Sequence, residues 1–382
     1  MSWSRRTFLT STAAASLAAC TFNTARGPSR ATADVAVRTL IGQGDKRALP
    51  AAGFVIMKQG EVIASAVAGD AAGLDPTEGV QRRPFRIDTP FRAASISKMA
   101  TALTALRLSN AGLIDLDADI RNYTDLPLLN PAFPDTPITM RQLLAHTSTI
   151  QDPEEYWVAA PGDIRSILGP DMFRRTGFDG APLAYGPGEW LEYANINYGI
   201  AANVMEQVTA ERFDLLARDR VILPLRLEAG FNWTGVWQAN RRRGATLYRK
   251  VNGSFAVQSD GPEILAGTRP SSLAPDDYNF ATYDPGTNGT LFGPHGGLRI
   301  SLIDLAHLAG AVGRAPELTD EVWRLNPAKS NGYHEEDVFQ SFGTGVFRHE
   351  PDVSAWPGQL DAFVRQVEGP GIEPIGLAVV AE

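Results

Sequence analysis

The chain has 382 residues, of which 44% are hydrophobic and 20% are charged, and its formal net charge is −8 at pH 7. This length and apolar content predict a large core, in one big domain or in two closely joined lobes. An acidic chain without aromatic-basic interleaving is not typical of nucleic-acid binding, so we expect no nucleic-acid partner. No apolar stretch reaches the roughly 18–20 residues of a membrane-spanning helix.

Residues 1–20 have the pattern of an export signal. Arg5 and Arg6 match the twin-arginine motif, and the uncharged run over residues 8–19 is typical of the apolar part of a signal. Cys20, the single cysteine of the chain, ends a Leu-Ala-Ala-Cys sequence that resembles a bacterial lipobox. We therefore predict export by the twin-arginine route, lipidation of Cys20 and a periplasmic, membrane-anchored protein. The alternative is a plain signal peptide, with the cysteine incidental.

Residues 21–33, rich in Thr, Ala, Arg and Ser, indicate a tether, and we expect the folded domain over residues 34–382. The domain is predicted to begin with a short helix over residues 34–43. Residues 53–57 and 62–67 then predict two strands joined by a tight turn, because both runs are rich in β-branched and apolar residues.

Helices dominate the prediction for the middle of the chain. The signals are Ala/Leu-rich or amphipathic periodicity, a capping threonine at a start and a glycine after an end. The predicted helices cover residues 99–108 (closed by Gly112), 139–145, the segment after Asn195 with Ile200, Val204, Met205 and Val208 on one side, 210–223 and 302–312. Residues 230–290 show little periodicity. Strands thus bracket a helical middle, which predicts a mixed α/β fold with a helical insertion.

Ser95 and Lys98 form an S-x-x-K motif between an extended stretch and a predicted helix. Side chains three residues apart lie on one helical face, about 5–6 Å apart at Cβ. A lysine whose pKa is lowered by burial can take the proton of a serine nucleophile. The chain has only five lysines, and Lys98 is the one with a serine three residues before it. The alternative is an N-capped helix with a solvated lysine.

A second candidate group lies further along the chain, where Tyr193 and Asn195 precede a predicted helix. A tyrosine of pKa ~10 becomes a useful base only beside a cation, and Lys98 is a candidate for that cation. The amide of Asn195 can donate to a substrate carbonyl and accept from a lysine. Taken alone, this pair is more typical of a packed tyrosine and a turn-forming asparagine. His146, at a predicted helix end, indicates a capped core histidine without a catalytic role.

Motifs for other chemistries are absent from the sequence. It contains no G-x-S-x-G elbow, no H-E-x-x-H and no phosphate-binding loop, and its five histidines are scattered. We therefore expect no metal ion and no organic cofactor. A chain with one cysteine has no internal disulfide framework.

Four stretches, in this order along the chain, resemble the serine β-lactamase and penicillin-binding-protein superfamily. Within it they resemble the class C β-lactamase-like and esterase branch. They are residues 89–116 with Ser95-Ile96-Ser97-Lys98, residues 138–148, residues 187–199 with Tyr193-Ala194-Asn195, and residues 296–305 with a glycine pair. The resemblance implies an α/β fold in which an antiparallel sheet is flanked by helices. It also implies a helical lobe at roughly residues 110–290, with the active site between lobe and sheet.

The resemblance further implies a role for each site residue. Ser95 would be the acylated nucleophile, with its N–H in the oxyanion hole, and Lys98 its proton acceptor or relay. Tyr193 would be the general base and acid, and Asn195 the contact to a substrate amide. The expected reaction is acyl transfer to water. The expected substrates are small esters, D-amino-acid amides or peptides, or β-lactams.

Three features depart from the family pattern. Thr149 and Arg226 stand where the family usually has glycine, and no Lys-Thr-Gly or equivalent third motif follows Gly345. We therefore expect a C-terminus that is truncated or diverged after about residue 359. The alternative to a hydrolase is a non-catalytic binding protein of the same fold.

Overall fold

The computed structural model describes residues 30–42, 47–58, 61–176, 185–189, 191–260 and 269–315, and the backbone of residues 323–324, 341–342 and 347–348. The predictions for the export signal, for Cys20 and for the chain after about residue 359 lie outside the described residues. Within the described ranges, no helix is both long and apolar enough to cross a membrane.

Seven α-helices and ten strands occur in the described part of the chain. The helices are α1 (Arg30–Ile41), α2 (Ser97–Asn110), α3 (Met140–Leu144), α4 (Ile196–Thr209), α5 (Phe213–Ala217), α6 (Gln238–Arg241) and α7 (Leu302–Gly313). The strands are β1 (Ala51–Lys58), β2 (Glu61–Ala72), β3 (Arg83–Pro84), β4 (Phe91–Arg92), β5 (Leu247–Val251), β6 (Ser254–Ser259), β7 (Arg299–Ile300), β8 (Trp323–Arg324), β9 (Ser341–Phe342) and β10 (Phe347–Arg348). The helix predicted over residues 210–223 is α5 continued by a π-helical turn, Arg218–Ile222.

The first sheet is antiparallel and has a helix against each face. β1 pairs with β2, and β2 pairs with β3. Successive side chains of a strand point to opposite faces, so Ala52 packs against Val37 of α1, whereas Val55 and Met57 pack against Leu302 of α7. This arrangement confirms the predicted antiparallel sheet flanked by helices. Both predicted strands of the hairpin are present, and each is longer than predicted.

The helical region between the strands contains the largest core cluster, and α4 lies in it. Ile200, Val204 and Met205 are fully buried, as the pattern predicts. The prediction of a single apolar face is wrong, because every residue from Ile196 to Glu206 is buried. Helices α2, α3 and α5 all pack against α4, so polar side chains on it are buried as well. The limits of the helical lobe and of the domain stay a prediction.

β5 and β6 form a hairpin that the sequence analysis did not predict. It lies within residues 230–290, where hydrophobic periodicity is weak. Its turn residues, Asn252 and Gly253, have φ angles of 51° and 83°. Positive φ at both positions is the backbone of a two-residue hairpin turn that Asn-Gly favours. This dipeptide is the signal in the sequence that predicts the hairpin.

Thr149 and Arg226, the two residues that replace family glycines, both have left-handed backbone conformations, with φ angles of 66° and 57°. Most side chains are strained in that region, and a β-branched one especially so. Thr149 is tied in place, because its Oγ1 accepts a hydrogen bond from Nδ2 of Asn130 at 2.9 Å. The fold therefore keeps the two glycine-type turns without the glycines.

Candidate active site

Ser95 lies in a sharp turn between a strand and a helix. β4 leads into a 3-10 turn over Ala94–Ile96, and α2 begins only at Ser97. The nucleophile candidate therefore lies in the 3-10 turn that immediately precedes α2. Ala94 has a φ of 42°, which is strained for a residue with a side chain. The turn leaves the side chain of Ser95 exposed.

Lys98 is buried behind Ser95, with 2% of its surface exposed. Its Nζ lies 3.1 Å from Oγ of Ser95, 2.9 Å from Oδ1 of Asn195 and 3.0 Å from the main-chain oxygen of His295. The Nζ atom also lies 4.7 Å from the centre of the Tyr193 ring. The solvated lysine of the alternative interpretation is excluded by this burial.

The partners around Lys98 can hold its neutral form in an orientation suited to proton transfer. Burial lowers the pKa of Lys98 to about 7, while the charge of Asp152 raises it. A neutral amine has two N–H donors and one lone pair. Asn195 Oδ1 and the His295 carbonyl can only accept, so they take the two N–H groups. The lone pair is then left for the hydroxyl of Ser95, the one neighbour of the three that can also donate.

Tyr193 reaches Ser95 from the other side of the cluster. Its hydroxyl lies 2.8 Å from Oγ of Ser95, a residue 98 positions away in the chain. The Tyr193 ring stacks on the ring of buried His146, with centroids 4.3 Å apart. Nδ1 of His146 accepts from the N–H of Ala194 at 3.2 Å. Burial, with the charge of Lys98, lowers the pKa of His146 well below its ordinary value, so the ring is neutral.

Asn195 is engaged at both ends of its amide. Oδ1 accepts from Lys98, and Nδ2 donates to Oδ2 of Asp152 at 3.0 Å. Oδ1 of Asp152 also accepts from the main-chain N–H of Ile196, at 2.7 Å, where α4 begins. The structure thus brings Ser95, Lys98 and the Tyr193–Asn195 pair into one cluster. Sequence reasoning missed Asp152, because nothing in a lone carboxylate 43 residues before Asn195 indicates the contact.

The glycine-pair segment is held against α2 by side chains of that helix. Oγ1 of Thr101 donates to the main-chain oxygen of Pro294 at 2.7 Å, and Oγ of Ser97 accepts from the N–H of Leu298 at 2.9 Å. Gly297 has no room for a side chain, since a Cβ would lie 2.8 Å from the oxygen of Gly293. These contacts place the carbonyl of the intervening His295 on Lys98, a contribution that the sequence analysis did not predict.

Three aromatic rings extend from this segment toward solvent. The His295 ring meets Tyr156 edge-on at 5.2 Å, and Tyr156 meets Trp157 edge-on at 4.9 Å. Trp157 is 36% exposed. Burial and the charges of Lys98 and Arg92 lower the pKa of His295 to about 3, so its ring is neutral near pH 7. The rings form an apolar layer that begins beside Lys98.

The described residues offer no cluster of three or more His, Cys, Asp or Glu side chains suited to a metal ion. The groups that surround Ser95 are an amine with a pKa of about 7, a phenol and an amide. Together these groups can move a proton off Ser95 and supply one to a neighbouring atom.

Comparison with known proteins supports one family. A family model described as Beta-lactamase matches residues 37–380. Esterase EstB of Burkholderia gladioli is 29% identical over 57% of the chain and 55% of its own length. Penicillin-binding protein 4* of Bacillus subtilis (strain 168) is 27% identical over 43% of the chain and 34% of its own length. The chain thus spans about half the length of these curated relatives, or less.

Among solved structures, the D-stereospecific amidohydrolase from Streptomyces sp. superposes with a TM-score of 0.51 at 19% identity. The superposition covers 85% of this chain and 85% of that one. Identity this low shows the fold alone. With the family model matched over most of its length, the chain belongs to the Beta-lactamase family.

Proposed function

We propose that the protein is an exported serine hydrolase that transfers acyl groups to water through an ester on Ser95. The observation that carries the proposal is the exposed Oγ of Ser95, which lies 3.1 Å from Nζ of Lys98 and 2.8 Å from the hydroxyl of Tyr193. A serine nucleophile needs a proton acceptor and its leaving group needs a proton donor, and both lie within hydrogen-bond distance.

Acylation then follows from the contacts. Oγ of Ser95 bonds to the substrate carbonyl carbon while its proton passes to the lone pair of Lys98. The bond to the leaving group breaks, and Tyr193 gives its proton to the departing oxygen or nitrogen. The products of this half are acyl-Ser95, an ammonium and a phenolate.

Hydrolysis reverses these proton positions. A water attacks the ester carbon and loses its proton to the phenolate of Tyr193. Oγ of Ser95 leaves and takes back the proton that Lys98 holds. The cycle releases a carboxylic acid and restores all three side chains. Acid–base steps of this kind contribute roughly 10²- to 10⁴-fold each to a rate.

The substrates we propose are small esters, D-amino-acid amides or peptides, or β-lactams. Support comes from the names of similar proteins, which include an esterase, a penicillin-binding protein and a D-stereospecific amidohydrolase. The apolar layer of Tyr156 and Trp157 beside the cluster is suited to an uncharged acyl or leaving group.

A fluorophosphonate probe tests the proposal. It should label the purified protein on Ser95, as mapped by peptide mass, and Ser95→Ala should abolish the label. Ser97 is an internal control, because it is buried and its Oγ is bonded to Leu298. Label that persists in the variant or moves to Ser97 contradicts the assignment. A protein that takes up no label and hydrolyses no chromogenic ester is the non-catalytic binding protein of the alternative.

Export and lipid anchoring are part of the proposal. Their support is the pair Arg5 and Arg6 and the position of Cys20 after the apolar run. Cys20→Ser should move the protein from the membrane fraction to the soluble fraction without loss of labelling at Ser95. Changing both arginines to lysine should leave the chain in the cytoplasm. A wild-type protein that is already in the soluble fraction contradicts the anchor.

A further inference from the structure

Asp152 links the side chain of Asn195 to the start of α4. Its two carboxylate oxygens accept separately, Oδ2 from the side chain of Asn195 and Oδ1 from the N–H of Ile196. The first contact holds the amide beside Lys98, and the second holds the start of α4. A carboxylate placed at a helix start also interacts favourably with the helix dipole.

The carboxylate decides which way the amide of Asn195 points. A carboxylate only accepts, so Nδ2 must face Asp152 and Oδ1 must face Lys98. In the flipped amide, Nδ2 would face the N–H groups of Lys98 and Oδ1 would face Asp152. The contact between Oδ1 and Asp152 would then be repulsive, and Nδ2 would compete with Ser95 for the lone pair of Lys98. The orientation seen here gives Lys98 one of the two acceptors that hold its N–H groups away from Ser95.

We propose that Asp152 is a positioning residue for acyl transfer, which orients the amide of Asn195 so that the lone pair of Lys98 faces Ser95. The role presupposes acylation of Ser95, the function proposed above. Asp152 does not touch the reacting atoms and acts through Asn195 and Lys98.

The charge of Asp152 also opposes the desolvation of Lys98. Burial lowers the pKa of Lys98 to about 7, and Asp152 raises it. Among the described residues, the other titratable side chains that face Lys98 are His146, His295, Tyr193 and Tyr198. Both histidines are neutral near pH 7, because burial lowers their pKa values. Burial raises the pKa of Tyr198 well above its ordinary value, so it too is neutral. Within the part of the chain that the structure describes, Asp152 is therefore the carboxylate whose negative charge acts on this amine.

The first experiment is Asp152→Asn, measured by the rate of Ser95 labelling against pH and by kcat/KM on a chromogenic ester. Loss of the carboxylate lets the amide of Asn195 flip, and a misplacement near 1 Å costs roughly 10²-fold in rate. We expect that loss in kcat, with KM little changed. The acid limb of the pH profile should move to lower pH, because Lys98 loses the charge that raises its pKa.

Asp163→Asn is the matched control. Asp163 also accepts from a main-chain N–H at the start of a helical turn and from a side chain, both of Arg165. The control therefore removes the same charge and a similar pair of contacts away from Lys98. We expect its kcat/KM and its pH profile to equal those of the wild type.

The double variant Asp152→Asn with Asn195→Asp separates positioning from stability. It exchanges donor and acceptor, so the pair can hydrogen-bond again while a carboxylate takes the place of the amide beside Lys98. A carboxylate in contact with the amine raises its pKa, and the acid limb should move to higher pH, opposite to the single variant. Above that limb, the labelling rate should exceed that of Asp152→Asn.

The outcomes divide cleanly between the two proposals. If wild-type Ser95 is never labelled, the proposed function fails and the role of Asp152 fails with it. If wild-type Ser95 is labelled but Asp152→Asn matches it in rate and pH profile, only the positioning role is overturned. The positioning role is also overturned if both variants lose activity in proportion to their melting temperatures, with the acid limb unmoved.

Discussion

Lys98 is the residue whose chemistry depends most on burial. A pKa of about 7 leaves a large neutral fraction at physiological pH, whereas an exposed lysine would be almost fully protonated. The unusual value follows from desolvation, and the structure offsets only part of it with the charge of Asp152.

We predict that Lys98→Arg reduces the Ser95 labelling rate by about 10²- to 10⁴-fold at every pH from 6 to 9. A guanidinium keeps its charge in proteins and has no lone pair to accept the serine proton. The wild-type rate should rise with pH to a plateau, with its midpoint near pH 7. Lys250→Arg, a change at an exposed lysine, is the control and should behave as wild type. A labelling rate of Lys98→Arg that is close to the wild-type rate would contradict the assignment of Lys98 as the base.

His146 supports the loop that carries Tyr193 through its backbone conformation and through a hydrogen bond. The residue has a φ of 58°, and its Nδ1 accepts from Ala194. Asparagine tolerates that backbone and places an oxygen near the position of Nδ1, whereas leucine does neither. We predict that His146→Asn keeps labelling within about tenfold of wild type. His146→Leu should lower the free energy of unfolding by roughly 1–3 kcal/mol, because a buried N–H loses its acceptor. Denaturant unfolding of the two variants is the measurement, and equal stabilities would contradict it.

Among the elements, two turns with positive φ differ in how well their residues suit that backbone conformation. Gly112 follows α2 with a φ of 72°, and its predicted place after the helix is confirmed. Arg226 has a φ of 57° at an exposed position where the family usually has glycine. Glycine suits this left-handed backbone at position 112, whereas arginine is strained by it at position 226.

We predict that Arg226→Gly stabilises the fold by about 0.5–1 kcal/mol, because glycine removes the strain of a left-handed residue and loses some of that gain to chain entropy. Gly112→Ala is the matched reverse change and should destabilise by about 1 kcal/mol. A Cβ at Gly112 meets nothing within 4 Å, so only the backbone contributes. Both values come from chemical denaturation. A destabilising Arg226→Gly would show that this side chain makes contacts that outweigh the strain.

At the scale of the whole molecule, Glu206 connects parts of the helical region that are far apart in the chain. It is fully buried on α4. One oxygen accepts from the N–H of Phe213 at 2.7 Å, and the other from the Tyr283 hydroxyl at 2.6 Å and the N–H of Gly286 at 2.9 Å. Burial raises the pKa of Glu206 to about 7, although the three donors lower it.

We predict that Glu206→Ala lowers the free energy of unfolding by about 3 kcal/mol or more, because three buried donors lose their acceptor. The wild type should also show a pH dependence that Glu206→Gln lacks. The folded pKa of about 7 lies above the unfolded value of about 4.5, so the folded state binds the proton more tightly. The contribution is complete below pH 4.5 and is lost as pH rises through 7. Urea unfolding of both proteins between pH 4.5 and 8 measures it, and parallel curves would contradict the shift.

Local sequence alone determined the features that depend on neighbours in the chain. The spacing of Ser95 and Lys98, the threonine cap of α3 and the glycine after α2 act over three or four residues, and the structure has all of them. The β1–β2 hairpin and α7 were likewise predictable from periodicity. The Asn252–Gly253 hairpin belongs to the same class, because its signal is a dipeptide.

Only the tertiary structure decided which side chains meet at the site and how they are protonated. Tyr193 and Asn195 reach Ser95 and Lys98 across nearly a hundred residues, and Asp152 joins them through contacts without a local signal. The family resemblance indicated the first two residues but not the third. The pKa of Lys98 depends on desolvation, which exists only when the helical core has closed around the amine. Spacing therefore places the reactive groups on one turn, whereas burial and long-range hydrogen bonds determine their protonation and orientation.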